Sequence, residues 1–389
     1  MEGAALLSPE ALAASQRPFE RANTLPPAAF SSPEIYEREI ERIFGRSWLC
    51  AGRLDQIPES GDFLPLDLLG RRLMVVRGGA GEVRVLSRIC RHRAAELVKE
   101  AGRTKVFQCP YHAWTYGLDG RLIGAPLMKG SESLDEKSCR LPEVRSEVWE
   151  GWIFVNLDPD APSLQEGLAP LSGLLAQYRM SEMVAVETAT FDSQFNWKVL
   201  VDNFMEAYHH ISIHRDTLEP LFPAKLSHTP DNEGPYSVLY MPGREGAPEE
   251  EENSAVSLPF VAPLGDREAR QLVAAVVFPS HLFATSAHSL TWYQILPETW
   301  DRFTLRIFNC FHRHAALKPE YREAVEAFQA VTRAIHHQDI DACEAVWAGL
   351  RSACVQSGPL GSLEKSIWQF NQWWSERMFG GPGEAGISD

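Results

Sequence analysis

Two short stretches of the chain pair sulfur with nitrogen. Cys90-Arg91-His92 and Cys109-Pro110-Tyr111-His112 read as C-x-H and C-x-x-H with 16 residues between them. Each stretch offers one thiolate and one imidazole. Cys₂His₂ is a common set for structural zinc. Zinc fingers place like ligands together, however, whereas each stretch here supplies one of each kind. That mixture suits a [2Fe–2S] cluster in which two cysteines hold one iron and two histidines the other. Imidazole in place of thiolate removes negative charge and raises the potential to about −150 to +300 mV, against about −400 mV for four-cysteine clusters. The other five cysteines, Cys50, Cys139, Cys310, Cys343 and Cys354, have no histidine at matching spacing and read as small apolar core residues.

A second constellation lies between Asn196 and His214 and contains Asp202, Asn203, Glu206, His209 and His210. Phe195 to His210 reads as a helix. On it Asn203, Glu206 and His209/His210 are spaced i, i+3, i+6/7 and share one face. His214 comes round from just past the helix end. Two neutral imidazoles and one carboxylate make the facial triad of non-heme Fe(II) oxygenases, which leaves positions open for O₂ and substrate. The third ligand must come from elsewhere. His336-His337-Gln338-Asp339-Ile340-Asp341 offers two carboxylates, and the residues alone leave Asp339 and Asp341 equally open.

Positioning these groups requires two kinds of structure. Ser32-Pro33-Glu34 opens a helix through Phe44 after an Ala/Pro/Ser-rich arm. Short strands follow at Phe63–Leu66, Leu73–Arg77, Val83–Ser87 and Trp152–Leu157. A hairpin of Thr115–Leu118 and Arg121–Ile123 turns at Asp119-Gly120. Together they predict a small all-β domain. Beyond it come a helix over Leu164–Tyr178 and an acidic solvated loop at Glu245–Asn253. Antiparallel strands are expected at Leu272–Phe278, His281–Ser286, Leu290–Leu296 and Phe303–Phe311. A long helix runs from Pro319 to about Leu350, a last one spans Leu363–Met378, and the tail from Gly380 to Gly383 frays. The expected division is an arm and helix over 1–45, the all-β domain over 46–160 and a larger α+β domain over 161–389.

The composition excludes several classes. The 389 residues include 37 basic and 52 acidic side chains, a net charge of −15, which disfavours nucleic acid and anionic lipid as partners. With 44% apolar residues the chain is globular in composition. Its longest clean apolar run, Leu272–Phe278, is far short of the ~20 residues of a membrane span. No basic residue precedes Arg17, so no signal peptide is expected, and a cytoplasmic location follows. Seven irregularly spaced cysteines argue against a disulfide framework.

The motifs resemble those of the oxygenase component, the α subunit, of Rieske non-heme iron oxygenases. The resemblance covers about Ile35 to Met378. It is carried by C-R-H-R at 90–93 with Q-C-P-Y-H-A-W-T-Y-G-L-D-G-R-L at 108–122. N-W-K at 196–198 with D-N-F-M-E-A-Y-H-H-I-S-I-H at 202–214 carries it too, as do Q-D-I-D-A-C-E-A-V at 338–346, G-L-R-S at 349–352 and G-P-L at 358–360. It implies a small all-β Rieske domain and a catalytic domain whose antiparallel sheet is covered by helices, of helix-grip type. Cys90, His92, Cys109 and His112 would be the cluster ligands. His209, His214 and, by register, Asp339 would hold mononuclear Fe(II). Glu206 matches a bridging carboxylate, usually Asp, that couples the iron site to a Rieske histidine of a neighbouring subunit, and Asn203 matches a position near the iron. His210 has no implied role beyond that of a satisfied polar or pocket residue. Ala94 and Ala113 stand where many relatives carry Gly, which bears on loop geometry alone.

The implied chemistry is oxidation of a small organic substrate by O₂: hydroxylation, cis-dihydroxylation or oxidative dealkylation. No G-x-G-x-x-G follows a strand, so NAD(P)H is expected to act through a partner reductase, with or without a ferredoxin. The resemblance also implies a trimer, α₃ or α₃β₃, with the homotrimer α₃ preferred. An aromatic or other apolar ring compound is the expected substrate, with Phe222, Phe278, Phe283, Trp292 and Phe308 as candidate pocket residues. A quaternary ammonium compound is the alternative and needs an aromatic cage, for which Trp347, Trp368, Trp373 and Trp374 are available. A Rieske electron-transfer protein would lack the His–His–Asp set, and a zinc-stabilised binding module would hold no iron.

Overall fold

A computed structural model describes residues 7–135, 137–244, 258–259 and 264–380. The expected acidic loop at Glu245–Asn253 lies outside them, as does most of the expected fraying tail. The chain forms two compact units. One runs Trp48–Gln165, and the other joins the segment up to Ser47 to that from Glu166 onward.

The smaller unit is built from strands. A seven-stranded antiparallel sheet has the spatial order Leu49–Arg53, Trp152–Asn156, Glu143–Trp149, Val83–Ser87, Arg71–Arg77, Asp62–Leu68 and Gly102–Arg103. A second sheet of three short strands, Phe107–Gln108, Thr115–Tyr116 and Leu122–Gly124, carries the second cysteine stretch. The hairpin at Asp119-Gly120 is present, but its first strand stops at Tyr116, two residues short of its pattern, and its second is shifted by one to Leu122–Gly124. The Gly117 N–H is taken by the Arg121 carbonyl at 2.9 Å, which closes a wide turn. Gly120 has φ +81°, and a Cβ there would meet Leu86 at 3.3 Å.

The larger unit centres on a six-stranded antiparallel sheet. Its order is Met183–Ser193, Arg302–His312, Ser289–Thr299, His281–Thr285, Gln271–Val277 and Tyr236–Pro242. The four inner strands match the expected ones within three residues. Both edge strands escape the sequence pattern. Met183–Ser193 has a register shift between Glu187 and Ala189 that breaks its period of two. Tyr236–Pro242 ends in the proline that only an edge tolerates. The helix Arg322–Leu350 is tied to the sheet where the Asn309 amide donates to the Thr332 hydroxyl at 3.1 Å. No helix among the described residues is long and apolar enough to cross a membrane.

The N-terminal segment is more ordered than an arm, with short helices at Pro9–Ser15 and Pro27–Ser31. The expected helix forms over Pro33–Arg42, capped by the Ser32 hydroxyl accepting from the Ile35 N–H. Its Glu39 is fully buried and joins three partners from two other helices. Lys198 Nζ lies 2.7 Å from Oε1, and the indole N–H groups of Trp374 and Trp197 donate at 2.6 and 3.1 Å. Burial alone would lower the Lys198 pKa, and the Glu39 charge opposes that. Glu39→Gln leaves this ammonium buried without its ion-paired carboxylate. We expect urea unfolding to show a loss of about 3–5 kcal/mol. A loss within 1 kcal/mol would show that the ion pair does not anchor this helix.

Candidate active site

Each cysteine stretch folds as a tight loop, and the two loops repeat one hydrogen-bond pattern. Cys90 N–H donates to Ala95 O at 2.8 Å, and Ala94 N–H to Cys90 O at 3.1 Å. Cys109 N–H donates to Trp114 O at 2.8 Å, and Ala113 N–H to Cys109 O at 3.0 Å. The turn that closes each loop needs a left-handed residue, and alanine occupies it in both, with φ +55° at Ala94 and +57° at Ala113. Left-handed alanine costs about 1–2 kcal/mol, a strain that glycine would avoid. Arg88, two residues before Cys90, anchors the first loop to the sheet. Its guanidinium reaches Glu96 at 2.7 Å, Asp67 at 2.9 Å and the Leu73 carbonyl at 3.0 Å.

The two loops face one another. The His92 and His112 rings meet at 4.7 Å, and Trp114 stacks on His92 at 4.7 Å. Cys90 and Cys109 are buried, whereas both histidines are half-buried. Tyr116 Oη lies 3.3 Å from Cys90 Sγ and accepts from the Arg91 N–H. His112 Nδ1 is buried and has no hydrogen-bond partner among the described residues. An unpaired buried nitrogen beside two buried thiols fits a cluster held by two cysteines and two histidines.

The second constellation departs from the expected helix. The α-helix spans Trp197–Phe204, capped by Asn196, and a separate 3₁₀ turn covers Tyr208–Ile211. In an unbroken helix the His209 N–H would bond to the Met205 carbonyl. The Glu206 carboxylate takes that N–H at 3.0 Å instead, so the helix cannot run through to His210. The same carboxylate holds His209 Nδ1 at 2.5 Å.

His209, His214 and Asp339 come together, with one ligand atom of each within 4.8 Å of the others. Asp339 Oδ1 lies 3.0 Å from His214 Nε2 and 3.6 Å from His209 Nε2. Both imidazoles are held from behind. His209 Nδ1–H donates to Glu206, and His214 Nδ1–H to Gln338 Oε1 at 2.8 Å, which also accepts from Thr217. Hydrogen bonding at Nδ1 turns each Nε2 towards Asp339, the arrangement that orients histidine for a metal. Asn203 donates its amide to Asp339 Oδ1 at 2.9 Å. Burial acts to raise the Asp339 carboxyl, but the His214 hydrogen bond, the imidazole charges and Asn203 hold it below its ordinary value. Burial acts to lower His214, and Asp339 more than offsets it. Two convergent imidazole Nε2 atoms and a carboxylate are the ligand types of a non-heme Fe(II) facial triad. Asp341, two residues on, is exposed.

These residues open into a cavity of about 420 Å³, in the range of small-molecule sites. Leu218, Leu221, Phe222, Leu239 and Met241 form much of its wall, with Phe204, Tyr293 and Phe328 as further rings. Of the five expected pocket aromatics only Phe222 lines it. Phe278, Phe283, Trp292 and Phe308 are buried in the core, the last three aligned across neighbouring strands and Phe278 just past the end of Gln271–Val277. None of Trp347, Trp368, Trp373 and Trp374 lines it either. His210 is buried, donates Nδ1–H to the Phe222 carbonyl and lines the cavity, and burial lowers its pKa to about 4. Asp202 does not line it, and burial pushes that carboxyl up to about 8 against the pull of Lys198. The sequence reading missed Gln338, Thr217 and His336. Gln338 adjoins Asp339, which was the available signal, whereas Thr217 had none.

Residues 180–380 match the family described as ring hydroxylating alpha subunit (catalytic domain), and residues 47–142 match the Rieske [2Fe-2S] domain. The chain is similar to the glycine betaine monooxygenase oxygenase subunit of Pseudomonas aeruginosa, with 35% identity over 200 residues. That match covers 51% of this chain and 46% of the relative, so it spans about half the relative's length. Among solved structures, a quaternary ammonium Rieske monooxygenase superposes with a TM-score of 0.80 at 22% identity, covering 94% of this chain and 97% of that one. Naphthalene 1,2-dioxygenase from Rhodococcus superposes with a TM-score of 0.75 at 23% identity, covering 93% and 95%. At those identities the two structures share the fold.

Proposed function

The chain belongs to the ring-hydroxylating α-subunit family of Rieske oxygenases, and from that membership we propose that it is the terminal oxygenase of a multicomponent system. It oxidises a small organic substrate with O₂ and two electrons that originate in NAD(P)H and arrive through a separate reductase, with or without a ferredoxin. In a hydroxylation, one oxygen atom enters the substrate and the other leaves as water. The observation that carries this reading is the convergence of His209, His214 and Asp339 on one wall of a largely apolar cavity. The seven cysteines are all free, which supports a reducing, cytoplasmic setting. A homotrimer accords with the family.

In this reading His209, His214 and Asp339 hold one Fe(II), and Cys90, His92, Cys109 and His112 hold the cluster. Iron held on one face by two imidazoles and a carboxylate supplies O₂ binding beside the substrate. The chain's own residues do the rest. Glu206 and Gln338 fix the tautomers of His209 and His214 with Nδ1–H, and Asn203 restrains the Asp339 oxygen. The largely apolar wall favours an apolar substrate beside these residues. A quaternary ammonium substrate is a second reading. It draws on the glycine betaine relative and on cation–π contact with Phe204, Phe222, Tyr293 or Phe328 in place of the expected tryptophans.

Metal analysis and O₂ consumption with a surrogate reductase test the proposal. The oxygenase holds about three irons per chain, an electron carrier two, and a zinc module none. Glu206 couples the two centres without itself binding iron. A carboxylate accepts from more than one imidazole, and Glu206 already accepts from His209. Glu206→Gln keeps the size and removes the charge, so both centres should assemble. A pre-reduced cluster in this variant should then stay reduced on addition of O₂ and substrate. Loss of the mononuclear iron would make Glu206 a ligand, and cluster oxidation at the wild-type rate would place the coupling path elsewhere.

A further inference from the structure

His336 lies one helical turn before Asp339 on Arg322–Leu350 and lines the same cavity. Its side chain is completely buried, yet neither Nδ1 nor Nε2 has a hydrogen-bond partner among the described residues. Buried imidazoles are ordinarily satisfied, so an unpaired one in a cavity wall calls for an account. Packing does not supply it. The ring rests 4.7 Å from Phe191 and 5.7 Å from Tyr293, contacts that phenylalanine would make without unpaired nitrogens. Burial lowers its pKa to about 4, so the ring is neutral and offers one donor and one acceptor.

A second polar group stands on the adjoining wall. The Asn309 amide is fully buried and donates to Thr291 Oγ1 at 3.0 Å and to Thr332 Oγ1 at 3.1 Å. Thr332 passes its own proton to the Phe328 carbonyl at 3.1 Å. The Thr291 proton has no acceptor among the described hydrogen bonds, so this hydroxyl is a second donor at the cavity.

Resting on the oxygenase reading above, we propose that His336 is a substrate-binding residue that holds a neutral oxygen function, a carbonyl or hydroxyl, on an otherwise apolar and uncharged substrate. A carbonyl or hydroxyl oxygen accepts from the imidazole N–H or from Thr291. A quaternary ammonium head has neither donor nor acceptor and leaves the imidazole unpaired. A carboxylate would need a cation, and no Lys or Arg lines the cavity among the described residues. The undescribed stretches 245–257 and 260–263 contain none in sequence either.

The test is equilibrium binding of 1-indanone, indane and glycine betaine to the anaerobic, oxidised holoenzyme. The first two share a carbon skeleton and differ by the carbonyl. Wild type should bind 1-indanone about tenfold more tightly than indane, the worth of one hydrogen bond, and glycine betaine more weakly than either. His336→Phe should unfold at the same or a higher temperature and bind 1-indanone and indane within about twofold of each other. His336→Gln, which keeps a donor and an acceptor, should retain part of the preference. If H336F does not fold, H336L takes its place and must lose the preference while H336Q keeps it. The proposal is overturned if the preference survives loss of the imidazole, if neither indane compound binds, or if glycine betaine binds best. Iron content measured on the same samples separates the two readings. Lack of mononuclear iron in the wild type would overturn the oxygenase reading, whatever the binding preference.

Discussion

Asp339→Ala should leave a protein with its cluster intact and no turnover. Total iron should fall from about three per chain to about two. Asp341→Ala should keep the third iron and most of the activity. The contrast follows from position. Asp339 is buried, 3.0 Å from His214 Nε2, and held by Asn203, whereas Asp341 is exposed. Removing Asp339 also leaves Asn203 and two imidazoles aimed at nothing, so second-site compensation by a neighbouring acid is not expected. Iron analysis with O₂ uptake decides it, and the reverse ranking of the two variants would show that the ligand register is wrong.

The complementary result is expected at the other centre. Cys109→Ser should abolish the visible absorption and the EPR signal of the reduced cluster, and total iron should fall to about one per chain. Cys109 is buried in a loop whose backbone is held at both ends, at Trp114 O and Ala113 N. A serine there keeps the loop, but its oxygen is a poor substitute for a thiolate. The control is Cys139→Ser. Cys139 packs against the same core, yet it has no counterpart to the loop pattern of Cys90 and Cys109. This control should keep the full spectrum. A complete cluster signal in the Cys109 variant would remove it from the ligand set.

The candidate metal ligands were legible because metal chemistry restricts such ligands to few residue types at fixed spacing. A left-handed alanine four residues after each cysteine closes the two loops identically, a repetition that the unequal spacings C-x-H and C-x-x-H did not reveal. The inner strands and the long helix were legible for a similar reason, since uninterrupted apolar periodicity leaves little choice of element. Where a side chain competed with the backbone, the pattern misled. Nothing between Met205 and Ala207 is a helix breaker by type, and the helix ends there because Glu206 takes a backbone N–H three residues on. The misplaced pocket aromatics are a second case. An aromatic on a strand of the central sheet reads the same whichever face it occupies, and the register that sends Trp292 and Phe308 into the core depends on pairing across strands.

By itself the sequence determined the kinds of centre this protein can hold, because thiolate, imidazole and carboxylate at these spacings suit few metals. It also determined that a small all-β unit and a larger mixed one must carry them. The family register favoured Asp339 over Asp341, and the tertiary structure supplied the physical contrast between them. Asp339 and Asp341 differ by less than one helical turn in sequence but by burial and hydrogen bonding in space. It alone revealed Gln338 behind His214 and the unpaired imidazole of His336, since each is defined by a partner, present or absent, more than a hundred residues away or across a cavity. Ligand type is a local property of the chain. Orientation, desolvation and the walls of a cavity arise only when distant segments pack.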